Sequence, residues 1–99
     1  MYSISLIERA DECAALLAAL GNKNRLAIMC HLLEAELPVG EIAQKVGLSQ
    51  SALSQHLAKL RALELVDTRR DRQMIYYSCS SDHVRAVMST LAGLYMEEI

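Results

Sequence analysis

Proline occurs once and glycine four times in 99 residues, and there is no low-complexity tract, which excludes collagen-like segments and flexible linkers. No stretch approaches the ~20 consecutive apolar residues of a membrane span. The N-terminus lacks a basic segment followed by an apolar one. No secretory signal is therefore expected, and the expected compartment is the cytoplasm, with no membrane partner. An odd number of cysteines, three, argues in that compartment against structural disulfides. Signatures of catalysis are missing too: no Gly-rich phosphate loop, no metal triad, no nucleophile–base pair. Ser54 and His56 stand two apart on a predicted helix and face different directions. The expectation is a protein that is not an enzyme and needs no cofactor.

An excess of basic charge is also lacking, with 10 Lys and Arg against 12 Asp and Glu, a net charge of −2. Taken whole, that balance gives no hint of a polyanionic partner. It averages two unlike regions, however. Residues 45–72 hold six basic side chains against three acidic ones, a local +3, and the remainder holds four against nine, a local −5. A basic patch attracts polyanions whatever the net charge.

What is present is a folding sequence, 53% hydrophobic and 22% charged, long enough for one domain over residues 1–99. Apolar residues Ile4, Ile7, Ala10, Ala14, Leu17 and Leu20 recur at helical spacing from Ser3 to about Leu20. Gly21 breaks the pattern, and Asn22 offers an N-cap for a second helix to about Leu33. Pro38 is expected at the first position of a short helix to about Val46. After Gly47-Leu48, Ser49 offers an N-cap for a helix to about Ala62 with Leu53, Leu57 and Leu60 on one stripe. Residues 65–70 and 74–79 read as a β-hairpin around Asp71-Arg72-Gln73. That loop lacks Asn-Gly, so a looser, mobile tip is expected. Ser80-Ser81-Asp82 caps a last helix carrying Val84, Val87, Met88, Leu91, Leu94 and Tyr95. The expected fold is mainly α with a small β-hairpin, in the order α-α-α-α-β-β-α.

Residues 39–60 have the helix-turn-helix layout, with Gly47 free to take positive φ at the turn. On the second helix Gln50, Ser51, Ser54 and Gln55 cluster on the outward side with neither carboxylate nor bulky aliphatic among them. A solvated helix face tends to carry Glu and Lys pairs. Amides and hydroxyls near a helix N-terminus suit the major groove of DNA, since Gln pairs with adenine N6/N7 and Ser with base edges or phosphates. Lys59 lies on the same helix. Arg69, Arg70 and Arg72, with Gln73, surround the hairpin tip, from which they reach phosphates or the minor groove. His56 lies near the inward stripe and reads as a structural histidine that hydrogen-bonds at the helix crossing.

The segment Leu48-Ser49-Gln50-Ser51-Ala52-Leu53-Ser54-Gln55-His56-Leu57, followed by Leu60-Arg61 and Leu65-Val66, resembles the ArsR/SmtB family of winged-helix repressors. The run from Thr68 to Ser78 resembles that of its NolR/HlyU/BigR subgroup, and Asn22-Lys23-Asn24-Arg25-Leu26 resembles the family's second-helix opening. The resemblance covers roughly residues 14–95. It implies a winged helix-turn-helix homodimer that binds an inverted-repeat operator in double-stranded DNA and represses transcription. Base reading would then fall on Gln50, Ser51, Ser54 and Gln55, and phosphate and minor-groove contacts on Arg69 to Gln73. Physical reasoning agrees on the dimer: the first and last helices carry apolar residues Ile4, Ile7, Leu17, Val87, Leu91, Leu94 and Tyr95 that one small core cannot obviously bury.

Family members commonly release DNA on binding a metal or an oxidant. The thiol-rich third-helix site has no counterpart, because Leu37-Pro38-Val39-Gly40-Glu41 contains no cysteine. The last-helix zinc site keeps Asp82 and His83 but lacks its later histidine, so no metal is expected. Cys30 falls where one cysteine of a redox pair sits in the resembled subgroup, while the partner position is Met96. Cys30, like Cys13 and Cys79, is expected to be a small buried residue. Two alternatives stay open: a thiol-responsive repressor using Cys30, and a winged-helix interaction module without DNA binding.

Overall fold

The computed structural model describes residues 6–96. Five helices and three strands follow in the order α1 (Ala10–Leu20), α2 (Lys23–Glu34), β1 (Leu37–Pro38), α3 (Val39–Val46), α4 (Gln50–Ala62), β2 (Asp67–Asp71), β3 (Met74–Ser78) and α5 (Asp82–Tyr95). Residues 6–8 are helical as well, and a turn at Arg9 separates them from α1. The single first helix expected from Ser3 to Leu20 is thus broken at Arg9, and its residues 3–5 lie outside the described part.

Local chemistry sets most boundaries. Asn22 accepts hydrogen bonds from the Asn24 and Arg25 amides, Ser49 from Ala52 and Ser81 from Val84, so three of the helices start on side-chain caps. Gly47 ends α3 in the left-handed region at φ 72°, where its N–H reaches the Ala43 carbonyl. The end of α4 is turned without glycine: Glu64 takes φ 57°, and the Leu65 amide bonds the Leu60 carbonyl at 3.0 Å.

The sheet departs from the expected hairpin. Pro38 does not begin a helix; it precedes α3 as its N-cap and belongs to a short edge strand. Leu37 pairs with Tyr77 and Pro38 with Tyr76, giving a three-stranded antiparallel sheet in the order β1-β3-β2. Proline is tolerated there because an edge strand has a side that needs no donor. The element order along the chain is therefore α-α-β-α-α-β-β-α. The hairpin connection is also tighter than expected. Asp71 pairs with Met74, leaving only Arg72 and Gln73 between the strands, and Arg72 adopts φ 60° to make the turn.

The core lies where α2, α3, α4 and the start of α5 meet, around the fully buried Ile28, Met29, Leu32, Ile42, Leu53, Leu57, Leu60 and Val84. Tyr77 and Cys79 anchor the base of the hairpin to this core, and the Cys79 amide donates to the Leu32 carbonyl at 3.1 Å. Every residue of β2 is exposed, so the hairpin is rooted at one end and projects at the other.

A candidate nucleic-acid interface

Helix α4 presents its outer face through the caps that begin it. With Ser49 holding the Ala52 amide at 3.1 Å, Gln50, Ser51, Ser54, Gln55 and Lys59 all project into solvent. Gln50 with Ser54, and Ser51 with Gln55 and then Lys59, form adjacent rows at four-residue spacing. Leu53, Leu57 and Leu60 hold the opposite face in the core. The first turn of α4 contains no acidic residue. Its free backbone amides and positive dipole end are thus unneutralised and suit a phosphate or an electron-rich base edge. Gln50 leans toward α3, its Nε2 lying 3.9 Å from where a Cβ on Gly40 would stand.

The hairpin carries the second set of candidates. Arg70, Arg72 and Gln73 are exposed beside the two-residue turn. Arg69 is placed differently from the expectation of a tip residue: it sits opposite Tyr76, two pairs back from the turn. Its guanidinium grips Glu36 in a fork, with Nη2 to Oε1 at 2.8 Å and Nε to Oε1 and Oε2 at 3.1 and 3.0 Å. It also stacks over the Tyr76 ring at 4.7 Å. The hydrogen bond from Arg69 holds the Glu36 carboxyl below its ordinary value, and the same bond raises Arg69. Arg69 therefore spends its charge on Glu36 and braces the hairpin, which leaves Arg70 and Arg72 as the cations displayed near the tip. No hydrogen bond or ion pair joins the hairpin to α4 among the described residues.

His56 stands on the inner edge of α4, half-buried, with Nδ1 3.3 Å from Arg25 Nη1. Burial is the main cause that lowers its pKa, with the charges of Arg25 and Lys59 acting in the same direction. Both effects favour the neutral ring, and because the Arg25 guanidinium can only donate, the contact pairs it with the Nδ1 lone pair. This is the structural histidine expected at that position.

Of the apolar residues assigned to the outer helices, Ile7, Leu17, Leu94 and Tyr95 are 62–81% exposed. Leu91 is half-buried, Val87 packs partly on the protomer's own core, and Ile4 lies outside the described residues. The exposed set continues through Leu6 and Met96, which sequence reasoning did not assign to this face although their apolar side chains extend the same terminal segments.

The cysteines correct one expectation. Cys30 is exposed, not buried. Ile28, Met29 and Leu32 face the core, and Cys30, two positions from both Ile28 and Leu32, falls on the opposite side of α2. Cys13 is half-exposed and Cys79 is buried, where burial pushes its thiol pKa up. Among the described residues no three His, Cys, Asp or Glu side chains converge as metal ligands, and no helix is long and apolar enough to cross a membrane.

Residues 22–68, from the N-cap of α2 into the hairpin, match the bacterial regulatory protein, arsR family. The nodulation protein NolR of Rhizobium meliloti is 53% identical over 92% of this chain and 75% of its own length. The chain belongs to the arsR family. The transcriptional activator HlyU of Vibrio cholerae is 48% identical over 91% of this chain and 83% of its own. Among solved structures, NolR from Sinorhizobium fredii superposes with a TM-score of 0.88 at 53% identity, covering 92% of this chain and 91% of that one. The repressor BigR from Xylella fastidiosa gives 0.91 at 34% identity over 99% and 100%. A homodimeric winged helix-turn-helix DNA-binding domain from Mycobacterium bovis gives 0.77 at 28% identity over 86% and 79%. The fold of this arsR-family member is accordingly a winged helix-turn-helix, with α3 and α4 as the helix-turn-helix and β2–β3 as the wing. It is a DNA-binding transcriptional regulator and not an enzyme.

Proposed function

We propose that residues 1–99 form one domain that represses transcription as a homodimer by occupying an inverted-repeat operator. The observation that carries this is the outer face of α4: four amide and hydroxyl side chains, Gln50, Ser51, Ser54 and Gln55, around a carboxylate-free, capped helix N-terminus. Such a face has donors and acceptors for base edges in the major groove and nothing that repels phosphate. Lys59 extends the row toward the backbone. Arg70, Arg72 and Gln73 on the wing supply phosphate and minor-groove contacts, with Arg69 bracing them through Glu36.

Pairing two copies through the exposed Ile7, Leu17, Leu94 and Tyr95, together with Val87 and Leu91, would remove from water the apolar surface that the single chain leaves bare. A two-fold dimer then offers two copies of α4 to one face of the duplex, about 34–36 Å apart for successive major grooves. A chromosomal operator makes the cytoplasm its place of work. NolR, HlyU and BigR carry names that include both an activator and a repressor, and repression by occupancy requires the fewest further contacts.

The test is selection of bound fragments from genomic DNA by the purified protein, followed by two variants on the recovered operator. Gln55→Ala should relax discrimination at one base position by ~1–3 kcal/mol. Arg70→Ala should weaken all sequences alike and reduce the salt slope by about 1. If no sequence is enriched, the chain is an interaction module that keeps the fold alone. If both variants bind as wild type does, the assigned interface is wrong.

A further inference from the structure

The C-terminal ends of α1 and α4 do not pack flush. Between them lies a cleft of about 380 Å³ lined by Ala15, Ala18 and Ala19 on one side and by Lys59, Ala62 and Leu63 on the other. One side chain crosses it. Arg25, from the first turn of α2, donates through Nε to the Ala19 carbonyl at 2.7 Å and through Nη2 to the Ala18 carbonyl at 3.2 Å. Its remaining arm, Nη1, reaches His56 Nδ1 on α4 at 3.3 Å.

Each end of this bridge has a physical reason. The last carbonyls of a helix lack intrahelical partners, and α1 has no basic residue in its own last turn to serve them. Arg25 supplies that charge from another helix. Its planar fork fixes three directions at once, which a lysine ammonium on a flexible stem does not. At the other end, the alanines lining the cleft are too small to meet across it, so the guanidinium is the polar contact spanning the gap.

We propose that Arg25 and His56 form a positioning strut that sets the recognition helix α4 against α1, so that both govern operator affinity without touching DNA. The proposal rests on the DNA-binding reading given above. The helix at one end of the strut carries the exposed Leu17 of the suggested dimer face, and the helix at the other carries Gln55 one residue from His56. An inverted repeat demands that two copies of α4 be held at a fixed separation and tilt. The strut is the side-chain link between the element that fixes the two-fold axis and the element that reads the bases.

The link has a protonation requirement. Arg25 can donate to Nδ1 only while that nitrogen keeps its lone pair. The charged groups acting on the ring are Arg25 from α2 and Lys59 from α4, both cations, and α1 contributes carbonyls and alanines. Because His56 lies below its ordinary value in the folded chain, the contribution is fully present above the ordinary histidine value. It is lost as pH falls toward the depressed one.

The experiment compares wild type, Arg25→Lys and His56→Asn by amide hydrogen exchange and by operator binding across salt and pH. Asn keeps an acceptor near the Nδ1 position and does not titrate. Arg25→Lys should speed exchange in the last turn of α1 and in α4 around His56 more than in the α2–α3 core. It should also weaken operator binding about tenfold with the salt slope unchanged. Wild-type affinity should fall as pH is lowered below the ordinary histidine value, by more than that of His56→Asn. The strut is overturned if α4 exchange in Arg25→Lys matches wild type, if the salt slope drops with the affinity, or if His56→Asn keeps the full pH dependence. A drop in slope means that Arg25 contacts phosphate. Should wild type itself bind no operator, the DNA-binding reading fails, and the exchange comparison still decides whether the strut exists.

Discussion

Leu94 tests the dimer most directly because it belongs to no core of the single chain. It is 69% exposed near the end of α5 and lies outside the buried cluster, so truncating it removes nothing the protomer needs. Leu94→Ala deletes three carbons, each worth ~0.8 kcal/mol when buried. If the 69% now in solvent is covered on pairing, the loss is ~1.7 kcal/mol per copy. Two-fold symmetry doubles it to ~3.3 kcal/mol, a rise of roughly 200-fold in the dimer Kd. Sedimentation equilibrium over a range of protein concentrations measures that constant, and circular dichroism checks that the helices remain. An intact fold with a dimer Kd within about threefold of wild type would place the interface elsewhere. Operator affinity should fall in step with dimer population, since one protomer reads only a half-site.

Two further outcomes follow from local geometry. Gly47→Ala places a Cβ on a residue at φ 72° with open space around it, so its cost is backbone strain alone, about 1–2 kcal/mol, read as a lower denaturation midpoint with an unchanged denaturant slope. Iodoacetamide at mildly alkaline pH should modify exposed Cys30 well before Cys79, whose thiol is buried and pushed to a higher pKa; peptide mass spectrometry gives the order, and equal rates would contradict the assigned orientation of α2.

Much of the site was legible because it is written locally. Ser49 caps α4 through an amide three residues away, Gly47 supplies its own positive φ, and Gln50, Ser51, Ser54 and Gln55 share a face through helical periodicity alone. The orientation of Cys30 was legible by the same periodicity, since Ile28, Met29 and Leu32 leave it on the outside. The expectation of a buried cysteine failed because it followed the residue type and not its position on the wheel. The hairpin was visible in its β-rich residues, but its turn was not. Arg72 takes a left-handed conformation for which the sequence offers no glycine or asparagine, and the paired strands on either side compel it.

The sequence by itself determined the helix-turn-helix, the wing, the family, and the separation of a basic stretch over residues 45–72 from an acidic remainder, because caps, periodicity and charge act over a few residues. Tertiary structure alone decided which distant groups meet. Leu37 and Pro38 become a strand only because β3 presents an edge 38 to 40 positions further on, at Tyr76 and Tyr77. Glu36 captures Arg69 from 33 residues away, and Arg25 meets His56 across 31. Two cations that read alike in the sequence were thereby given different work, Arg69 bracing the wing and Arg70 left free beside its turn. No local rule distinguishes them, because the deciding carboxylate arrives only when the chain has packed.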